Sequence, residues 1–180
     1  MFSLVLLAVV CFLLGSIPWG LIISKSVFHT DIREHGSGNI GTTNAMRTMG
    51  KKGGVAVFVL DFGKGLLSGL IALFVLATFI PGAGVAADSP ASASTVVALA
   101  FLFCTLGHIF SPWLKFKGGK GIAVAAACLV FVFGPLGFLI EIAVFALGIA
   151  VTRCVSVGSI AAAVICPVLA LYFYWGQWVP

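Results

Sequence analysis

Residues 121–152 read GIAVAAACLVFVFGPLGFLIEIAVFALGIAVT, thirty-two residues with one charge, Glu141. No face of such a segment is polar enough to meet water, so its natural solvent is hydrocarbon. Only helices and closed barrels satisfy their backbones there, and barrel strands alternate polar with apolar residues, which this stretch does not. About 20 apolar residues span a bilayer as a helix. The run exceeds that, and Gly134-Pro135 interrupts it midway, where proline breaks the backbone ladder. The reading is two short helices, near 120–134 and 136–152, joined by a tight hairpin.

Working outward, stretches free of Asp, Glu, Lys and Arg cover 1–24, 65–87, 89–114 and 154–180. They predict further helices near 2–24, 54–80, 92–112 and 157–178, for about six transmembrane helices in an all-α, polytopic membrane protein. Composition agrees: 61% of the 180 residues are hydrophobic and 8% charged, against about 25% charged in soluble domains. The start of the chain lacks a basic leader and stays apolar beyond signal length, so a retained first span is expected. Cys11, Cys104, Cys128, Cys154 and Cys166 have neither metal-ligand nor redox spacing and read as small apolar residues.

Charge sets the expected orientation. Residues 25–64 hold six of the ten basic residues, Lys115, Lys117 and Lys120 follow, and Arg153 stands alone. With a real hairpin and the N-terminus outside, all ten fall on the cytoplasmic side. The 81–91 loop then lies outside, as does an aromatic belt of Tyr172, Tyr174, Trp175 and Trp178. The net charge of +5 thus reads as topology and affinity for anionic groups rather than for nucleic acid.

Two inner loops carry the candidate chemistry. The first runs His35-Gly36-Ser37-Gly38-Asn39-Ile40-Gly41-Thr42-Thr43-Asn44-Ala45-Met46-Arg47. Its glycines let backbone amides converge on an anion, its hydroxyls and amides add neutral donors, and Arg47 offers a planar fork for phosphate. The bland alternative is a flexible loop ending in a helix cap. Its literal match to a dinucleotide fingerprint is accidental, because no strand precedes it. The second loop, Gly107-His108 through Lys117-Gly118-Gly119-Lys120-Gly121, aims lysines, amides and a helix start at one point. Read blandly, it is a basic, topology-setting turn.

Around these loops, His108 is either a structural or a catalytic histidine. Asp61 and Lys64 share a helix face and are expected to pair. Glu141 needs a partner or a proton. Ser156 and Ser159 start the last helix. Together these features describe a cytoplasm-facing, phosphate-binding cleft.

These residues resemble the bacterial acyl-phosphate:glycerol-3-phosphate acyltransferase family of the inner membrane. The resemblance rests on Ser37 through Asn44 with Arg47, on Gly107-His108 with Phe116 through Gly121, and on Ser156 with Ser159. It extends over nearly the whole chain, including Asp31-Ile32-Arg33 and Asp61 to Gly65. It implies one membrane acyltransferase domain over residues 1–180, transferring an acyl group from acyl-phosphate to the 1-hydroxyl of sn-glycerol 3-phosphate. The products are 1-acyl-glycerol 3-phosphate and phosphate, in the first step of phospholipid synthesis. No cofactor or metal is implied. The expected partners are the two substrates, membrane lipids and a soluble enzyme that forms acyl-phosphate.

By the resemblance, Ser37, Arg47, Lys120 and His108 are the catalytic candidates. Gly36, Gly38, Asn39, Gly41, Thr43, Asn44, Lys117, Gly118, Gly119, Gly121, Ser156 and Ser159 bind or shape around phosphate. The base is either His108 or the departing phosphate. The His-x4-Asp signature of soluble acyltransferases is absent, since Glu34, Ile40 and Trp113 stand five residues after the three histidines. Two departures stand out: Val124 replaces a usual threonine, and the chain stops at Pro180, before the family's seventh helix and Asn-containing tail. The rival readings are a small-anion transporter or channel, against which no inverted repeat is visible, and a catalytically inactive lipid-binding homologue.

Overall fold

The computed structural model describes residues 2–79 and 90–178. They form helices α1 (Phe2–Ser16), α2 (Trp19–Ser26), α3 (Thr42–Phe79), α4 (Pro90–Ile109), α5 (Ile122–Thr152) and α6 (Val155–Trp178), with 3-10 turns at Ile32–Glu34 and Pro112–Leu114. Among the described residues there is no strand. Five helical segments among the described residues are long and apolar enough to cross a membrane, the first combining α1 and α2. The chain is a polytopic helical membrane protein.

The first span, expected unbroken over 2–24, is interrupted at Ile17-Pro18. Proline has no N–H to continue the ladder, so the last carbonyls of α1 are left without helical donors. Small residues then seat α1 against α4. A side chain at Gly15 would collide with the Cys104 backbone, and one at Gly107 with Phe12. This antiparallel contact brings His108 to the broken end of α1, and it is the close backbone approach typical of small residues in membrane helices.

Two glycines fold helices back on themselves. Gly50 (φ 71°, ψ −172°) and Gly134 (φ 68°, ψ −175°) occupy a region open essentially to glycine alone. At Gly50 the short helix 42–49, absent from the sequence reading, doubles against the start of the long one. A side chain on Gly54 would strike Met46, though residues eight apart in a straight helix are separated by about 12 Å.

At Gly134 the expected hairpin is present. The first arm runs alongside α3, with Gly65 against Val124 and Ala127 and Gly69 against Phe131. The second arm returns, setting the Phe138 ring 6.4 Å from that of Phe62 and Gly148 against Gly158 of α6. Lys120, before the helix, acts electrostatically on Cys154, after it; a straight helix of 31 residues would part them by about 45 Å. The first arm, residues 122–133, rises only about 18 Å and so reaches part-way through the hydrocarbon.

One apolar cluster ties α1, α3, α4 and α5 together through Leu7, Cys11, Ala72, Val96, Ala100, Cys104, Val124 and Cys128. Val124, where the family it resembles usually has threonine, is a fully buried core residue. A second cluster lies at the polar end, where Ile32, Ile40, Ala45 and Met49 of the first loop region meet Ile23 of α2, Val57 of α3 and Leu114 of the second loop. The expected 81–91 loop falls largely outside the described residues, as do the side chains of Tyr174, Trp175 and Trp178. Tyr172 is exposed.

Candidate active site

The first loop is organised by Asn44. This buried amide donates to the carbonyls of Ile32 (3.0 Å), His35 (3.0 Å) and Asn39 (2.9 Å) and accepts the Ser37 N–H at 2.9 Å. Asn39 closes an Asx turn by accepting the Gly41 N–H at 2.9 Å, and Gly38 N–H donates to His35 O at 3.0 Å. The amides of Ser37, Gly38 and Gly41 are thus spent inside the loop. The expected nest of free amides at those positions is corrected: the glycines and Asn44 shape the loop.

At the entry, Arg33 donates to Asp31 through Nε (2.9 Å) and Nη2 (2.6 Å), and Lys25 lies 3.2 Å away. The Arg33 guanidinium foremost, with the Arg33 N–H and Lys25 adding to it, holds the Asp31 carboxyl well below its usual range against the opposing effect of burial.

Arg47 projects from the short helix 42–49 beside a recess of about 410 Å³, shared with Phe28, Thr30, His35, Gly36 and Thr48. Thr30 Oγ1 and His35 Nε2 are 2.9 Å apart. Thr48 Oγ1 is buried without a partner. Among the described residues no carboxylate pairs with Arg47. Ser37 and Thr43 are exposed nearby in the chain.

The second loop hangs from α1 and α4. Ser111 Oγ donates to Ser16 O at 2.7 Å, and Trp113 Nε1 donates to Ser16 Oγ at 2.9 Å. Left-handed Lys115 and Phe116 (φ 53° and 62°) turn the chain back, and the N–H groups of Gly118 and Gly119 cap α4 by donating to Ile109 O (2.9 Å) and His108 O (3.1 Å). These two amides do not face an anion, contrary to the sequence reading. Lys117 and Lys120 remain exposed on either side of them, and Gly121 (φ 76°) begins α5.

Beneath this turn lies a buried charged group. Lys64 Nζ donates to Ile17 O (2.9 Å), lies 2.9 Å from His108 Nδ1, and forms an ion pair with Asp61 Oδ1 at 3.0 Å that lacks hydrogen-bond geometry. All three ionisable side chains are at least 96% buried. With Lys64 as an ammonium, which has donors only, Nδ1 is the acceptor and the imidazole proton is assigned to Nε2. The Nε2 edge abuts Gly119, where any side chain would collide with it. The expected Asp61–Lys64 pair is present; its extension to His108 and to Ile17, 44 and 47 residues away along the chain, has no sequence signal beyond the proline that frees the carbonyl.

In the third segment, Ser159 Oγ donates to Val155 O at 2.9 Å and Ser156 is exposed. The Cys154 thiol is drawn below its ordinary range chiefly by the N–H groups of Val157 and Ser156, with Lys120 assisting. The first and second loops thus share the apolar floor of the Ile32–Leu114 cluster, and Lys120 of the second lies within electrostatic reach of Cys154 beside the third. Glu141 stands apart, buried between the second arm of α5 and α6, with neither oxygen hydrogen-bonded.

Residues 5–179 match the family described as glycerol-3-phosphate acyltransferase. A glycerol-3-phosphate acyltransferase of Streptococcus thermophilus is 41% identical over 163 residues, covering 91% of this chain and 69% of the relative. One from Chlorobaculum parvum is 35% identical over 191 residues, covering 99% and 80%. The glycerol 3-phosphate form of PlsY (YgiH), an integral membrane glycerol 3-phosphate acyltransferase, superposes with a TM-score of 0.76 at 35% identity, covering 99% of this chain and 79% of that one. With nearly every residue inside the match, the chain belongs to the glycerol-3-phosphate acyltransferase family.

Proposed function

We propose that the protein transfers a fatty acyl group from acyl-phosphate to the 1-hydroxyl of sn-glycerol 3-phosphate, releasing 1-acyl-glycerol 3-phosphate and inorganic phosphate. One observation carries this reading: a guanidinium without a carboxylate partner among the described residues lines a recess whose buried Thr48 hydroxyl also lacks a partner among them. Both groups ask for a polar, anionic occupant.

Arg47 and Ser37 hold the phosphate of glycerol 3-phosphate, with Gly36, Gly38, Asn39, Gly41, Thr43 and Asn44 fixing the shape around it. Lys117 and Lys120, spaced by Gly118 and Gly119 and followed by Gly121, hold the phosphate of the donor. Ser156 and Ser159 border it from the third segment. Acyl-phosphate is a mixed anhydride, so the 1-oxygen attacks the acyl carbon, the bond from that carbon to the bridging phosphate oxygen breaks, and phosphate departs. No protein nucleophile is needed; positioning and charge neutralisation suffice. The Nδ1 lone pair of His108 is committed to Lys64, so the departing phosphate takes the hydroxyl proton. The acyl chain lies among membrane lipids, and a soluble enzyme supplies the donor. The basic loops face the cytoplasm from the bacterial inner membrane.

The test supplies labelled glycerol 3-phosphate with either palmitoyl-phosphate or palmitoyl-CoA to the purified protein. Lysophosphatidate formed from palmitoyl-phosphate alone is expected. Equal product from palmitoyl-CoA overturns the donor assignment, and no product from either overturns the reaction.

A further inference from the structure

Burying an ammonium within the membrane is costly unless every proton is received. Lys64 is compensated by groups drawn from three elements: hydrogen bonds to the Ile17 carbonyl at the broken end of α1 and to His108 Nδ1 on α4, and an ion pair with Asp61 on its own helix. A purely structural pair would need only Asp61. Reaching His108 as well fixes the ring's tautomer and its rotation about χ2, since only one nitrogen can face Lys64.

That ring sits where the second loop is fastened. The His108 carbonyl accepts from Gly119 N–H at 3.1 Å, and the Nε2 edge of the same residue fills the space a Gly119 side chain would need. Gly119 lies between Lys117 and Lys120. The turn bearing both lysines is therefore held against His108 by backbone and ring together, and the ring is held by Lys64. We propose that Lys64 is a positioning residue, which clamps the His108 imidazole as its Nε2–H tautomer under Gly119 and thereby sets the Lys117–Lys120 turn in register for a phosphate group.

The proposal rests on the phosphate-binding role of that turn in the reaction above, and its test separates the two. Asparagine at position 108 places an amide oxygen near the site of Nδ1 and cannot act as a base; leucine offers no acceptor. His108→Asn, which keeps an acceptor for Lys64, should retain at least about tenfold more kcat/KM for acyl-phosphate than His108→Leu. His108→Leu and Lys64→Met should lose on the order of 10²-fold, the usual effect of misplacing a reacting group by about 1 Å. If His108→Asn falls as far as His108→Leu, the positioning role is overturned.

Two measurements require no turnover. In protein labelled with 15N-histidine, the resonances absent from His108→Asn should report the Nε2–H tautomer in the parent and a mixture in Lys64→Met. A parent signal from the Nδ1–H tautomer overturns the proposal. Inorganic phosphate, titrated calorimetrically, should bind the parent and His108→Asn alike and Lys64→Met at least tenfold more weakly; equal binding by all three overturns it. A parent that shows the locked tautomer and binds phosphate but forms no product sinks the acyl transfer and leaves the clamp standing.

Discussion

Asn44 Oδ1 accepts the backbone N–H of Ser37 at 2.9 Å while its amide nitrogen serves three carbonyls of the same loop. One side chain thus supplies the hydrogen bonds that secondary structure would otherwise provide for residues 32–44. Truncation in Asn44→Ala strands those groups, at about 1–3 kcal/mol for each that water cannot reach. Asn44→Asp is expected to be as harmful, because a carboxylate then faces three carbonyl oxygens. Thermal unfolding in detergent should shift down by several degrees for both variants, with KM for glycerol 3-phosphate raised. An unchanged midpoint for Asn44→Ala would contradict this account.

Arg47 has a different part, since it bonds to no protein carboxylate among the described residues and its loss leaves no stranded partner. Arg47→Lys keeps the charge but loses the two-pronged geometry that matches phosphate. Its expected effect is a KM for glycerol 3-phosphate raised on the order of tenfold, against about a hundredfold for Arg47→Ala, from the loss of one to two charge-assisted hydrogen bonds at about 1.5–3 kcal/mol each. Neither change should move the unfolding midpoint by more than a degree or two. Steady-state kinetics and unfolding on the same preparations decide it.

The α5 hairpin predicts a cross-link. Because the Lys120 ammonium stands within electrostatic reach of Cys154, a short amine-to-thiol cross-linking reagent should join the two, detectable by mass spectrometry after proteolysis. Failure to cross-link, with both groups still modified by small single-ended reagents, would favour a straight helix. Gly134→Ala bears on the same geometry. Nothing lies within 4 Å of a β-carbon placed there, so its cost is backbone strain alone, about 1–3 kcal/mol.

Why the hairpin was legible and the site only half so is a matter of range. Gly134-Pro135 is a local signal: proline cannot continue a helix, and an interrupted 32-residue apolar run has few other options. Ile17-Pro18 carried the same signal, yet the apolar run around it invited a continuous span. Gly50 gave no warning, because a lone glycine among Met49, Lys51 and Lys52 is compatible with a helix. In the loops, composition identified polar, glycine-rich segments but not the accounting of donors. The amides of Ser37, Gly38, Gly118 and Gly119 looked available for an anion until their carbonyl acceptors were in place. Lys64 meeting His108 depends on how α1, α3 and α4 pack, which no spacing along the chain encodes.

Cys154 offers a readout at the junction of the second and third segments. It is exposed, and its thiolate is favoured chiefly by the N–H groups of Val157 and Ser156, then by the Ser156 hydroxyl and, least, by the Lys120 ammonium. A lowered pKa increases the thiolate fraction at neutral pH, and the thiolate is the reactive form. Cys11, Cys104 and Cys128 are buried. Iodoacetamide at pH 7 should therefore modify Cys154 first, with a rate that rises with pH to a plateau reached earlier than for an ordinary exposed cysteine. Lys120→Gln should shift that plateau to higher pH by a fraction of a unit, and phosphate bound at Lys120 should do the same by screening its charge. If the rate follows an unperturbed thiol in the parent, or if Lys120→Gln leaves the profile unmoved, the proximity of the two segments at this end of the hairpin is contradicted.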